Sequence, residues 1–151
     1  MRIFLSYSHK DKGTVLPVAN HLIKIHGKDS VIIDEYNLKP GDSLIDFMNE
    51  SLKNFTHFLF FLSNNSLRSY FTSLEWQNAL ILCADGKKKF VPIIVDSVDV
   101  PPIIGNIIRI NMYEIGLKET FSLLDKTFSD SVYFESNQPN LFSKISLPSD
   151  P

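Results

Sequence analysis

Along the first 128 residues, short unbroken apolar runs alternate with stretches in which apolar residues recur every three or four positions. The runs at residues 2–6 (RIFLS), 31–34 (VIID), 57–63 (HFLFFLS), 90–96 (FVPIIVD) and 107–112 have the length of strands and end in polar or turn residues. HFLFFLS is too continuously apolar for a half-exposed strand and suits a central one covered on both faces. Pro92 is expected near the start of its strand or at an irregularity, because proline cannot donate to a ladder.

Between the runs lie helical patterns. Val15, Val18, Ala19, Leu22 and Ile23 share one face, with Thr14 as a candidate cap and Pro17 in the first turn, and Gly27 ends the segment. Leu44, Phe47, Met48, Leu52 and Phe55 mark a second helix, capped by Asp42 or Ser43 after a loop that turns at Pro40-Gly41. Residues 66–80 form a third, and Leu117, Phe121, Leu124 and Phe128 a last one. Strands that alternate with helices imply parallel neighbours, since the helices are the crossovers that parallel pairing needs. The expected architecture is α/β and flavodoxin-like: a five-stranded parallel sheet, assumed order 2-1-3-4-5, with helices on both faces. Residues 1–128 make one domain. From 129 to 151 the pattern gives way to Ser, Pro, Asn and Asp, which reads as a tail or as a linker to a further domain.

Composition narrows the classes. In 151 residues, 44% are hydrophobic and 21% charged, the balance of a soluble globular chain, and a formal charge of -2 gives no reason to expect a nucleic-acid surface. The basic run at residues 87–89 reads as a solvated turn. No apolar run reaches the length of a membrane span, and the N-terminus has no signal-peptide core, so a cytoplasmic setting is expected. Cys83 is the single cysteine, lies on an apolar helical spacing and reads as core packing. His9, His21, His26 and His57 show no ligand spacing, so no metal is expected.

With the assumed strand order, the topological switch point falls between the first and third strands, and ligands bind beyond their carboxyl ends. Tyr7, Ser8 and His9 leave the first strand there; Phe71 and Glu75 follow the third. His9 either contacts a phosphate or ribose or is simply an exposed loop residue. Asp34 either orients the crevice or satisfies amides in its own turn. Thr72-Ser73-Leu74-Glu75 also fits a capping box, in which the glutamate reaches back to the cap amide, so capping and catalysis both stand for Glu75. There is no GxGxxG after the first strand and no Walker A sequence, and the first strand ends in Ser-Tyr-Ser rather than an acidic cluster.

Through FLSYSHKD at residues 4–11, DEYNLKPG with Asp34, Leu38 and Gly41, YFTSLEW around Glu75, and FVPII at 90–94, the chain resembles a TIR (Toll/interleukin-1 receptor) domain over residues 1–128. Many bacterial, plant and some animal members cleave the nicotinamide N-glycosidic bond of NAD+. The resemblance implies a bacterial-type NAD-cleaving enzyme with NAD+ as substrate and no cofactor. It puts the catalytic carboxylate at Glu75 and an aromatic partner at Phe71, where many members have Trp. Tyr7, Ser8, His9, Asp34 and Asn37 become the substrate contacts. Leu38, Lys39, Pro40, Gly41 and Asp42 fall in the BB loop, through which such domains associate and open the site. Implied partners are NAD+ and other TIR domains, and immunity or antiphage defence is the implied setting. The alternative within the family is a non-catalytic adaptor that recruits another TIR domain. Whether the product is linear ADP-ribose or a cyclic isomer depends on which nucleophile reaches the ribose first.

Overall fold

The computed structural model of the chain describes residues 1–33 and 52–137, apart from the side chains of Tyr70, Phe71 and residues 131–137. The second expected helix from Ser43 lies outside the described residues, except for Leu52 and Phe55, which are buried.

The parallel sheet orders its strands 2-1-3-4: β1 (Ile3–Ser6) pairs with β2 (Val31–Ile33) and β3 (His57–Leu62), and β3 pairs with β4 (Lys89–Ile94). All six residues of β3 are buried, as expected for a central strand. Parity then sorts the strand side chains into two layers. Ile3, Leu5, Leu59, Phe61, Val91 and Ile93 meet α1 (Lys12–His26) and α4 (Met112–Asn137) on one face. Phe4, Phe58, Phe60, Leu62, Phe90 and Ile94 face the other side, which carries α3 (Tyr70–Leu82). Because Phe4, Phe58 and Phe90 share a register, their rings stack across three strands, with centroids 5.3 and 5.4 Å apart. Burying each such ring contributes about 1.5–3 kcal/mol.

Pro92 stands in the middle of β4 and alters the edge beyond it. On the inner side, Lys89 N–H donates to Thr56 O (2.9 Å) and Val95 N–H to Leu62 O (3.0 Å). On the outer side, Ile110 N–H donates to Pro92 O (2.9 Å) and Ile94 N–H to Ile110 O (2.8 Å), which makes one parallel bridge between Ile93 and Ile110. The next rung would require an N–H on residue 92 for the carbonyl of Ile108, and proline has none. The fifth strand expected at 107–112 is therefore reduced to that bridge, and Ile108 is 94% exposed.

Three helix boundaries also differ from expectation. Asp11, not Thr14, is the cap residue of α1, which makes Pro17 its sixth residue, beyond the first turn. The segment at 66–80 is two helices, α2 (Asn64–Arg68) and α3. The last helix breaks at Gly116 (φ 81°), a conformation that suits glycine, and then continues to Asn137, past the expected end at 128. Leu117 lies outside the buried face, which is carried by Thr120, Leu124 and Phe128. Among the described residues, no helix is long and apolar enough to cross a membrane.

Candidate functional site

The order 2-1-3-4 puts the switch point between β1 and β3, and side chains tie the loops beyond it together. Asp11 ends the short 3-10 turn His9–Asp11; its carboxylate accepts from Ser63 Oγ and from Asn65 Nδ2 (3.0 Å). Ser63 Oγ also accepts from Ser66 N–H (2.9 Å), while Ser66 Oγ accepts from Ser63 N–H (2.8 Å), a capping box that starts α2 at the end of β3. Asn64 reaches the loop after β4, with its N–H 3.3 Å from the Asp96 carboxylate and its Nδ2 donating to Ser97 O (3.0 Å). Asp11, Ser63, Asn65 and Asp96 were absent from the sequence-derived site. Ser63 and Asp96 carried a signal, the polar residue that closes an apolar run; Asp11 and Asn65 lie farther along their loops and carried none.

Ser69 caps α3, with its side chain accepting from Thr72 N–H (3.2 Å). Thr72 is thus inside the helix, and the capping-box reading of Thr72 to Glu75 is overturned. Glu75 is the sixth residue of α3, in its second turn, where the N-terminal dipole acts more weakly than in the first. It is only 2% exposed and lies on the face that buries Thr72, Trp76 and Ala79. Trp76 stacks on Phe60 with centroids 5.4 Å apart, which fixes this turn of α3 over β3. Phe71 stands four residues before Glu75, so the helix backbone brings both positions to neighbouring places on one face.

The first loop divides its residues. Tyr7 is buried in the layer shared with α1 and α4, opposite the α3 layer. Ser8 is buried and caps the 3-10 turn, accepting from Lys10 N–H at 3.4 Å. His9 is exposed, its ring 6.4 Å from that of Tyr7. Ser6 is a residue that sequence reasoning passed over: paired with Phe60, it faces the α3 layer by strand parity, is fully buried, and its Oγ has no hydrogen-bond partner among the described residues. Asp34, Asn37, Leu38, Lys39, Pro40, Gly41 and Asp42 lie outside the described residues.

The remaining histidines gather at the opposite end of the sheet. His21 Nε2 is 2.8 Å from Asp125 Oδ1, and its ring stacks on Phe121. The edges of His26 and His57 meet the Phe128 ring, with centroids 4.9 and 4.7 Å away. Burial pushes the His57 imidazole down to about 4, helped by Lys89, His26 and the N-terminus, and burial also lowers His26. Among the described residues, no group of three or more His, Cys, Asp or Glu could hold a metal ion.

A family model described as a TIR domain matches residues 3–124 of the chain. No curated protein matches it. Among solved structures, the TIR domain of a Toll-related receptor from the lower metazoan Hydra magnipapillata is similar, with a TM-score of 0.66 and 13% identity over 85% of this chain and 95% of that one. At that identity the likeness concerns the fold.

Proposed function

The chain belongs to the TIR domain family, and from that premise we propose that it cleaves the bond between ribose and nicotinamide in NAD+, with Glu75 as the catalytic carboxylate. The observation that carries this reading is the burial of Glu75 on α3, near the carboxyl end of the central strand and beside the switch point. Removing a carboxylate from water is costly unless it is paired and hydrogen-bonded, so a residue that only filled space at this position would be better apolar.

The reaction asks little of the protein. Nicotinamide leaves the pyridinium as a neutral molecule, so no general acid is needed, in contrast to O-glycoside cleavage with its paired carboxylates. The electron pair of the C1′–N bond departs with nicotinamide and leaves an oxocarbenium-like centre on the ribose. An anionic Glu75 close to the ribose hydroxyls stabilises that charge, and water then adds at C1′ and loses a proton to solvent to give ADP-ribose. An intramolecular nucleophile arriving first gives a cyclic isomer. Phe71 supplies a π face for a stacked base. In this reading a neighbouring TIR domain completes the site through the segment from Leu38 to Asp42, so activity rises faster than linearly with protein concentration.

The test is nicotinamide release from NAD+ by concentrated or assembled protein, wild type against Glu75→Gln. Release that the substitution abolishes supports the reading. Absence of release under every assembled condition supports the second reading, a non-catalytic module that recruits another TIR domain. That alternative draws on the same residue: at 2% exposure, Glu75 is closed to solvent in the state described.

A further inference from the structure

Asp11 is the cap residue of α1, yet its side chain makes no capping bond to that helix. A cap carboxylate ordinarily accepts from an N–H of its own first turn. Here it reaches across the crevice instead: one oxygen accepts from Ser63 Oγ and the other from Asn65 Nδ2 (3.0 Å). From Ser63, polar residues at a spacing of three lead to the carboxylate assigned to catalysis: Ser63, Ser66, Ser69, Thr72 and Glu75. Hydrogen bonds join them. Ser63 and Ser66 cap one another, and Ser69 N–H donates to Ser66 O (3.3 Å). Ser69 Oγ accepts from Thr72 N–H (3.2 Å), and its carbonyl accepts from Ser73 N–H (2.9 Å). Ser69 thus closes α2 and opens α3. A helix of five residues has little stability of its own, so the place of α2 is set by what holds its ends.

We propose that Asp11 is a positioning residue: by holding Ser63 and Asn65 it fixes α2 and, through Ser69, the rotation of α3 that presents Glu75. The stack of Trp76 on Phe60 presses α3 onto the sheet, but an apolar contact sets separation more than rotation. Hydrogen bonds are directional and supply what the stack lacks. Stabilising a developing charge depends on placement to a fraction of an ångström, so a loosened α3 lowers turnover more than it weakens substrate binding. The catalytic part of this proposal rests on the reading of Glu75 as the reacting carboxylate; the hold of Asp11 on α3 does not.

The test uses the full chain with Asp11→Ala, Asn65→Ala and the two combined. Asn65→Ala removes one of the two bonds and leaves the capping box of α2 intact, so it remains informative if Asp11→Ala fails to fold. The first readout is residue-resolved hydrogen exchange. In Asp11→Ala the amides of residues 72–76 are expected to exchange roughly tenfold faster, with those of β3 and of residues 79–82 unchanged. The double variant should match Asp11→Ala, because both substitutions act through one contact. The second readout is nicotinamide release by assembled protein, in which kcat falls roughly tenfold while KM stays within about twofold. Unchanged exchange at residues 72–76 in every variant overturns the proposal. So does a loss of protection spread evenly over the sheet, which is what a merely structural role gives. Faster exchange with an undiminished or raised kcat overturns it as well, since Glu75 would then not depend on that hold. If the wild type releases no nicotinamide while exchange responds as expected, the catalytic reading of Glu75 fails and the hold of Asp11 on α3 stands.

Discussion

Acid should weaken this fold through His57 in particular. The imidazole is 2% exposed, with Nδ1 2.8 Å from Thr56 Oγ1 and the Phe128 ring against its edge. Burial, then Lys89, His26 and the N-terminus, hold the folded-state value at about 4, against the ordinary 6.5. The neutral form is favoured in the fold. The His57 contribution is therefore fully present above about pH 6.5, declines as the unfolded chain takes up a proton that the folded chain refuses, and stops declining below about pH 4. A difference of 2.5 pKa units (6.5 less 4) corresponds to about 3 kcal/mol at 1.36 kcal/mol per unit. For a chain of this size that is about 10 °C in Tm, a large share of an ordinary domain stability. The assay is thermal unfolding of wild type and His57→Gln from pH 7.5 to pH 4. Other groups also titrate in this range, so the quantity to read is the difference between the two Tm curves, which should narrow as the wild type loses stability on acidification. Parallel curves across the whole range would show that His57 accepts its proton equally in both states, and the reasoning from burial would fail.

Two further outcomes follow from the geometry. Pro92→Val restores an N–H directed at the carbonyl of Ile108 and should lengthen the pairing beyond Ile110; the new amide at position 92 is expected to be protected in hydrogen exchange, with a stability gain of about 1 kcal/mol. An amide there that exchanges like an exposed one would disprove the explanation for the shortened edge. Burial pushes the Cys83 thiol up to about 12, so its thiolate fraction at pH 8 is roughly a thousandfold below that of an ordinary thiol. Alkylation by iodoacetamide in the folded protein should be correspondingly slow, and labelling at the rate of a free thiol would contradict the packing of that helix end.

Local pattern carried most of the architecture. The apolar runs located β1 to β4 within one or two residues, and the helical spacing of Val15, Val18, Ala19 and Leu22 matches the buried face of α1. Crossover length alone made the sheet parallel, and the place of Glu75 near the carboxyl end of β3 followed from chain order. The family was legible because four short motifs stood in the right order between those elements.

What the sequence alone could not decide depends on partners distant along the chain. Whether Ser69 or Thr72 caps α3 turns on where α2 ends, and α2 starts at Ser63 through a capping box beside Asp11. Pro92 is tolerated in mid-strand because its missing donor faces the outer edge, a side chosen by the β3 register and invisible in a linear pattern. Tyr7 and Ser6 are adjacent, yet strand parity sends one to the α1 layer and the other toward the α3 layer that holds Glu75. Periodicity determined the elements because side-chain direction repeats locally. The crevice and the buried Glu75 came from tertiary packing, because each is assembled by residues that meet only when the layers close.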